Sequence, residues 1–250
     1  MSRSTADRDS PATDRAPPVI QVAGLCKRYG DQDALANVSF DVHAGEVLGL
    51  IGPNGAGKTT LLEAIAGVLP ADSGQVAWCG NPLPQARRRE AMFYLPDGIR
   101  PYQDQRVARV LAFFAGVHRK PTAQIAGVIA TLGLVPVLGK CVQALSKGYA
   151  RRLTLALGFL APHPFLLMDE PFDGFDLRQT REIGNVLRAE ARRGRTLLLA
   201  IHQLADAERV CDRFILLADG RLRGVGTLPE LRTRVGSPAA SLEEIFLALT

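Results

Sequence analysis

Two short stretches carry residue types whose spacing suits phosphate chemistry. The first, "GPNGAGKT", Gly52 to Thr59, follows the apolar run Val47 to Ile51 and leads into "KTTLLEAIAGVL", whose Leu61, Leu62 and Ile65 form one helical face. Small residues at this spacing let successive backbone N–H groups curl around a phosphate at the positive end of a helix. Gly52, Pro53, Asn54, Gly55, Ala56, Gly57, Lys58, Thr59 and Thr60 are therefore the candidate cradle. Lys58 would reach the outer phosphates, and the Thr59 hydroxyl would hold Mg2+. An ordinary glycine-rich turn is the plain alternative, but strand, turn and helix stand in phosphate-binding order. The pattern alone does not choose among kinases, GTPases and ATPases.

The second stretch, "PFLLMDEPFDGFD", Pro164 to Asp176, places four carboxylates behind the apolar run Phe165 to Met168. In a parallel sheet the ligand sits beyond the carboxyl ends of the strands, and "PFLLM" would deliver Asp169 and Glu170 to that edge beside the phosphate loop. Asp169 then suits Mg2+, directly or through water. Glu170 suits proton acceptance from an attacking water, or its orientation. Asp173 reads as a polar loop residue.

The surrounding pattern supplies the elements these residues need. "VIQVAGL" and "NVSFDV" read as strands, with Val38, Phe40 and Val42 alternating as on a half-buried antiparallel sheet. Val47 to Ile51 is continuously apolar, as a strand buried on both faces requires. Between Pro101 and Val142, "QRVARVLAFFAGV" and "QIAGVIATLGL" read as amphipathic helices. Strand signals return at "PFLLM", "TLLLAI" and "RFILLA", with a helical stretch between the first two, which implies a parallel sheet with crossover helices. "ADGRLRGVG" contains an Asp-Gly hairpin, and "SLEEIFLAL" a helix capped at Ser241. The expected fold is α/β: a P-loop NTPase core with a mainly parallel sheet, an N-terminal antiparallel β-subdomain and an inserted helical subdomain at about residues 98–150. Residues 1–17 read as a disordered tail, 18–235 as the nucleotide-binding domain, and 236–250 as a C-terminal segment with a short helix.

Composition narrows the partners. The chain has 250 residues, 47% hydrophobic and 22% charged, which fits a globular core rather than a disordered chain. Its apolar runs fall short of the roughly 18 residues of a membrane span. Cys26, Cys79, Cys141 and Cys211 stand far apart without CxxC pairing, so they read as buried thiols of a reducing cytoplasm. The net charge of +5 comes largely from arginine, including Arg87 to Arg89 and Arg192, Arg193 and Arg195. These runs read as solvated faces; no nucleic-acid-binding motif accompanies them, and no nucleic acid is expected.

Several further motifs follow in a familiar order, and from Val19 to about Leu231 the chain resembles the ATP-binding subunit of ABC transporters. The resemblance implies an ATPase that binds ATP and Mg2+ as a homodimer or heterodimer of ATPase subunits. It implies a cytoplasmic subunit, peripheral on the inner face of the cell membrane through a separate transmembrane permease. "KRYG" places Tyr29 where the family stacks an aromatic ring on adenine; an exposed loop tyrosine is the alternative. "LSKGY", Leu145 to Tyr149, corresponds to the family's LSGGQ signature, so Ser146 and Gly148 would face the γ-phosphate bound by the other subunit. "TLLLAIH" ends on His202, the switch histidine, which together with Glu170 and Lys58 completes the catalytic set. "DGFD" matches the D-loop and ends on Asp176, which would couple the two sites across the dimer.

This sequence also departs from the pattern. Lys147 and Tyr149 stand where Gly and Gln are commonest, and the Lys147 cation is expected to favour the phosphate. Asp97, in "FYLPDG", replaces a glutamine that helps organise Mg2+ and the attacking water, so Asp97 is either a further metal contact or serves only in coupling. The acidic residue, "LSKG" and the ending "SLEEIFLALT" resemble the second, largely exporter, branch of bacterial ABC systems. Two other readings stay open: a soluble ABC-type ATPase acting on ribosomes or DNA, and a nucleotide-gated regulator that does not hydrolyse ATP.

Overall fold

A computed structural model describes residues 17–250, so the expected disordered tail lies outside the described residues except for Pro17. The chain begins with the antiparallel pair β1 (Ile20–Tyr29) and β2 (Gln32–Val42), followed by β3 (Val47–Ile51) and α1 (Lys58–Ala66). Next come β4 (Ser73–Trp78), β5 (Asn81–Pro82), the single turn α2 (Arg88–Ala91) and β6 (Met92–Leu95). The helices α3 (Val107–Val117), α4 (Thr122–Thr131) and α5 (Lys147–Leu160) then precede β7 (Phe165–Asp169). The remainder is α6 (Leu177–Arg192), β8 (Thr196–Ile201), α7 (Leu204–Val210), β9 (Arg213–Ala218), β10 (Arg221–Gly226), α8 (Leu228–Val235) and α9 (Leu242–Leu249).

Two sheets result. The antiparallel sheet has the order β2-β1-β4-β5, and the larger sheet β10-β9-β3-β8-β7-β6 is parallel except for its edge strand β10. Asp219 and Gly220 both have positive φ, as the tight β9–β10 hairpin requires. In β3, β7, β8 and β9 every residue is buried. Alternate residues feed opposite cores: Val47, Ile51, Leu166 and Met168 pack with the helices α3 to α9, while Leu48, Leu50, Phe165 and Leu167 pack with α1 and the antiparallel sheet. Burying each such side chain contributes about 1.5–3 kcal/mol, which makes the central strands a rigid platform for whatever their ends carry. Val38, Phe40 and Val42 face the second core while Ser39 and Asp41 are exposed, the alternation their sequence requires.

Two readings of the arginine runs change. Arg88 is buried and donates to the carbonyls of Leu83 and Ala64, tying α1 to α2. Arg195 donates to the Gly158, Phe159 and Ala161 carbonyls and so satisfies the otherwise open C-terminus of α5. Both arginines are structural rather than solvated. The thiols also divide: all four are free, but only Cys211 is buried, and Cys79 is exposed. Burial raises the Cys211 thiol above its ordinary pKa and leaves it inert. Among the described residues no helix is long and apolar enough to cross a membrane.

Candidate functional site

Three neighbouring strands deliver the site. The parallel register pairs Ile51 with Ile201 and Asp169 with Ala200, so the ends of β3, β8 and β7 lie side by side. Gly52, His202 and Glu170 each follow directly. The phosphate loop is shaped by close backbone approach. A Cβ at Gly52 would lie 2.3 Å from the Leu217 carbonyl oxygen, and one at Gly57 would lie 2.4 Å from that of Ala34. Gly57 also has φ +99°, a conformation that L side chains resist. Within the loop, the Ala56 N–H donates to the Pro53 carbonyl, and the Lys58 ammonium to the Gly52 and Pro53 carbonyls at 2.8 and 3.2 Å. A cleft of about 400 Å3 opens over this loop, walled by Tyr29, Asn54, Gly55, Gly57, Lys58, Thr59 and Thr60 together with Asp97, Asp169 and Glu170. Tyr29 ends β1 half exposed, with the Lys27 ammonium 5.6 Å from its ring centroid.

Four of the candidate groups form two pairs, of which Thr59, Asp169 and Glu170 line the cleft and His202 does not. Thr59 Oγ1 donates to Asp169 Oδ2 at 2.6 Å. Burial pushes the Asp169 carboxyl above its ordinary pKa; the Thr59 hydrogen bond opposes this, Asp97 adds to it, and Lys58 and Arg151 pull it down. A hydroxyl and one carboxylate form an oxygen-only set that fits Mg2+, which takes one or two protein ligands beside phosphates and water. Among the described residues no three acidic, histidine or cysteine side chains form a metal cage. The second pair is His202 Nδ1 and Glu170 Oε2, 2.5 Å apart. Glu170 sits at φ +50°, its N–H held by the Ala200 carbonyl at 3.0 Å. Left-handed backbone at a non-glycine residue is costly, and here it turns the side chain out of the strand line at the chemical end of the sheet.

The other candidates lie elsewhere. Ser146 caps α5 and accepts the Tyr149 N–H at 3.4 Å, and Gly148 lies against Gly174 and Phe175. Asp176 caps α6 in a reciprocal box with Gln179. None of the three lines the cleft of this chain. Asp97 reaches the cleft, but its carboxylate is engaged by Arg151 instead of joining Thr59 and Asp169. The Lys147 ammonium is paired with Asp173 at 2.7 Å. Sequence reasoning missed this pairing and Arg151 itself, because partners 26 and 54 positions apart leave no local pattern.

The family profile described as "ABC transporter" matches residues 35–173, from β2 through the phosphate loop and the signature to Asp173. This chain belongs to the ABC transporter ATP-binding family. Members of that family are ATPases, and the chain is an ATP-binding, ATP-hydrolysing subunit of that kind. It is 36% identical over 224 residues to the Nod factor export ATP-binding protein I of Ralstonia nicotianae, covering 86% of this chain and 69% of that protein. An uncharacterized ABC transporter ATP-binding protein of Methanocaldococcus jannaschii is 32% identical over 218 residues, with 86% and 79% covered. A solved ATP-binding subunit of an ABC transporter superposes with a TM-score of 0.83 at 30% identity, covering 92% of this chain and 99% of that one. Its fold is the one described above for this ABC ATPase.

Proposed function

We propose that this ABC ATPase binds Mg-ATP, pairs head to tail with a second ATPase subunit, and drives a separate membrane permease, with export as its direction. The observation that carries this reading is the meeting of Thr59–Asp169 and Glu170–His202 over one phosphate loop. The Gly52 to Thr60 loop binds the phosphates, with Lys58 beside it and Tyr29 at the rim for the adenine. Thr59 and Asp169 hold Mg2+, which when bound neutralises charge on the phosphates. Glu170 accepts the proton of the attacking water, and the Glu170–His202 hydrogen bond fixes both side chains. With both ring nitrogens protonated, His202 would donate from Nδ1 to Glu170 and from Nε2 to a γ-phosphate oxygen.

Ser146, Gly148 and Asp176 stand outside the cleft, on the ends of α5 and α6, and supply the surface offered to the other subunit's nucleotide. A capped helix start of this kind attracts an anion. Export is supported by the name of the Ralstonia relative. Phosphate release by the purified chain, with Glu170→Gln as control, tests the reading. Turnover that needs Mg2+ and disappears in the variant supports it; zero turnover even with the membrane partner present overturns it. Light scattering of Glu170→Gln with Mg-ATP tests the pairing, which predicts a dimer that dissociates when Mg2+ is chelated.

A further inference from the structure

Among the described residues, Asp97 alone lines both the nucleotide cleft and a second cleft of about 370 Å3 between the loop at residues 97–100 and α5. Its Oδ1 is paired with Arg151 Nη2, and the same nitrogen lies 3.7 Å from Asp173 Oδ2. Asp173 Oδ1 in turn takes the Lys147 ammonium at 2.7 Å. Arg151 is 9% exposed, whereas Asp97 is 48% exposed. A nearly buried cation has a stronger hold on its carboxylate than a surface ion pair, and removing it leaves Asp97 without its cation, while Asp173 keeps Lys147.

The surroundings make this pairing consequential. Asp97 and Asp169 line the same cleft, and Arg151, which lines the second cleft, holds Asp97. Were Asp97 released, two carboxylates and a hydroxyl would converge where the phosphates must also bring negative charge. We propose that Arg151 is a positioning residue of the ATPase site: by holding Asp97 it keeps that carboxylate away from the Thr59–Asp169 metal seat. Through Asp173, three residues beyond Glu170, the same guanidinium ties the signature helix α5 to the segment after β7. This inference rests on the reading of Thr59 and Asp169 as the seat.

Mn2+ titrated by electron paramagnetic resonance into the full chain with saturating ADP provides the test. Arg151→Gln frees a carboxylate beside the seat and tightens Mn2+ about tenfold. Arg151→Lys, which keeps the cation, stays near wild type, and Asp97→Asn added to Arg151→Gln removes the gain. A merely structural arginine would give no tightening on removal. Unchanged Mn2+ affinity in folded Arg151→Gln overturns the proposal, as does a gain that survives Asp97→Asn. If Arg151→Gln does not fold, Asp97→Asn alone decides: affinity within about twofold of wild type supports the proposal, and a larger loss shows that Asp97 is itself a ligand. Asp169→Asn separates the two ideas, because Mn2+ binding unaffected by that change refutes the seat rather than the role of Arg151.

Discussion

His202 Nδ1 lies 2.5 Å from Glu170 Oε2, joining the first residue beyond β8 to the first beyond β7. The contact exists because parallel neighbours end in register and because Glu170 takes a left-handed backbone that swings its side chain out of line. A base held in place by a second group is what proton transfer from water needs. Glu170→Gln keeps the size and loses the charge, so ATP turnover should fall about 10²–10⁴-fold with nucleotide affinity nearly unchanged. His202→Ala should lower turnover less than the glutamate variant if its role is to orient. Single-turnover phosphate release beside a nucleotide-binding titration measures both; equal turnover in Glu170→Gln and wild type would remove Glu170 from the chemistry.

Asp169 gives the site a pH dependence with a definite sign. Burial raises its folded pKa above the unfolded value. The neutral form therefore stabilises the fold at low pH, and that contribution disappears as pH rises through the raised value. Metal binding needs the opposite form, so Mn2+ affinity should fall as pH drops, beginning above the usual aspartate value of about 3.9. Asp97→Asn removes a charge that raises Asp169 and should move this acid limb to lower pH. Mn2+ titrations across pH 4 to 7 (roughly the range between ordinary carboxylates and neutrality) measure the shift. A limb that moves upward would show that Asp97 acts on the seat other than by charge.

Gly57 is constrained twice, by φ +99° and by the Ala34 carbonyl 2.4 Å from where a Cβ would stand. Gly194 is constrained once, with φ +96° and open space around it. Gly194→Ala should cost about 1–2 kcal/mol from backbone strain alone. Gly57→Ala should cost more, about 2–4 kcal/mol, because β2 must also give way. Only the Gly57 change should weaken nucleotide binding, at least about tenfold, since it moves the N–H groups of the cradle. Urea unfolding and a nucleotide titration separate the two effects. Equal costs would mean that the loop and β2 yield easily.

What was legible in the sequence followed from local period and local motif. The two-residue alternation of Val38, Phe40 and Val42 and the continuous apolar runs of β3, β7, β8 and β9 each announce how many faces are buried. The glycines of the loop announce a backbone that other residues cannot adopt. Other elements gave weaker signals: β6 spans four residues directly after the single-turn helix α2, and β5 spans two. The arginines misled because a charge run looks the same whether its members cap helices or meet water. Arg88 and Arg195 differ from Arg87 and Arg89 only in which backbone carbonyls the fold brings to them. The Asp97–Arg151–Asp173–Lys147 chain joins three motifs that sequence treats separately.

His163 supplies a further pH effect, remote from the nucleotide. Its Nε2 meets the Arg89 carbonyl at 2.9 Å and so carries the proton, while its Nδ1 is buried without a partner. The ring stacks on Phe93, with His118 6.2 Å away edge-on. Burial lowers the His163 pKa below its ordinary value; the Arg89 carbonyl opposes this, and Arg195 and Lys120 add to it. A histidine depressed in the fold contributes stability above its unfolded pKa of about 6.5, and that contribution is lost as pH falls toward the folded value. His118 is lowered in the same direction, first by burial and then by His163. The melting temperature should therefore drop between about pH 7 and pH 5. His163→Gln keeps a donor for Arg89 and cannot gain charge, so it should flatten that drop. Thermal melts at matched ionic strength decide the matter, and an equally steep loss in the variant would place the acid sensitivity elsewhere.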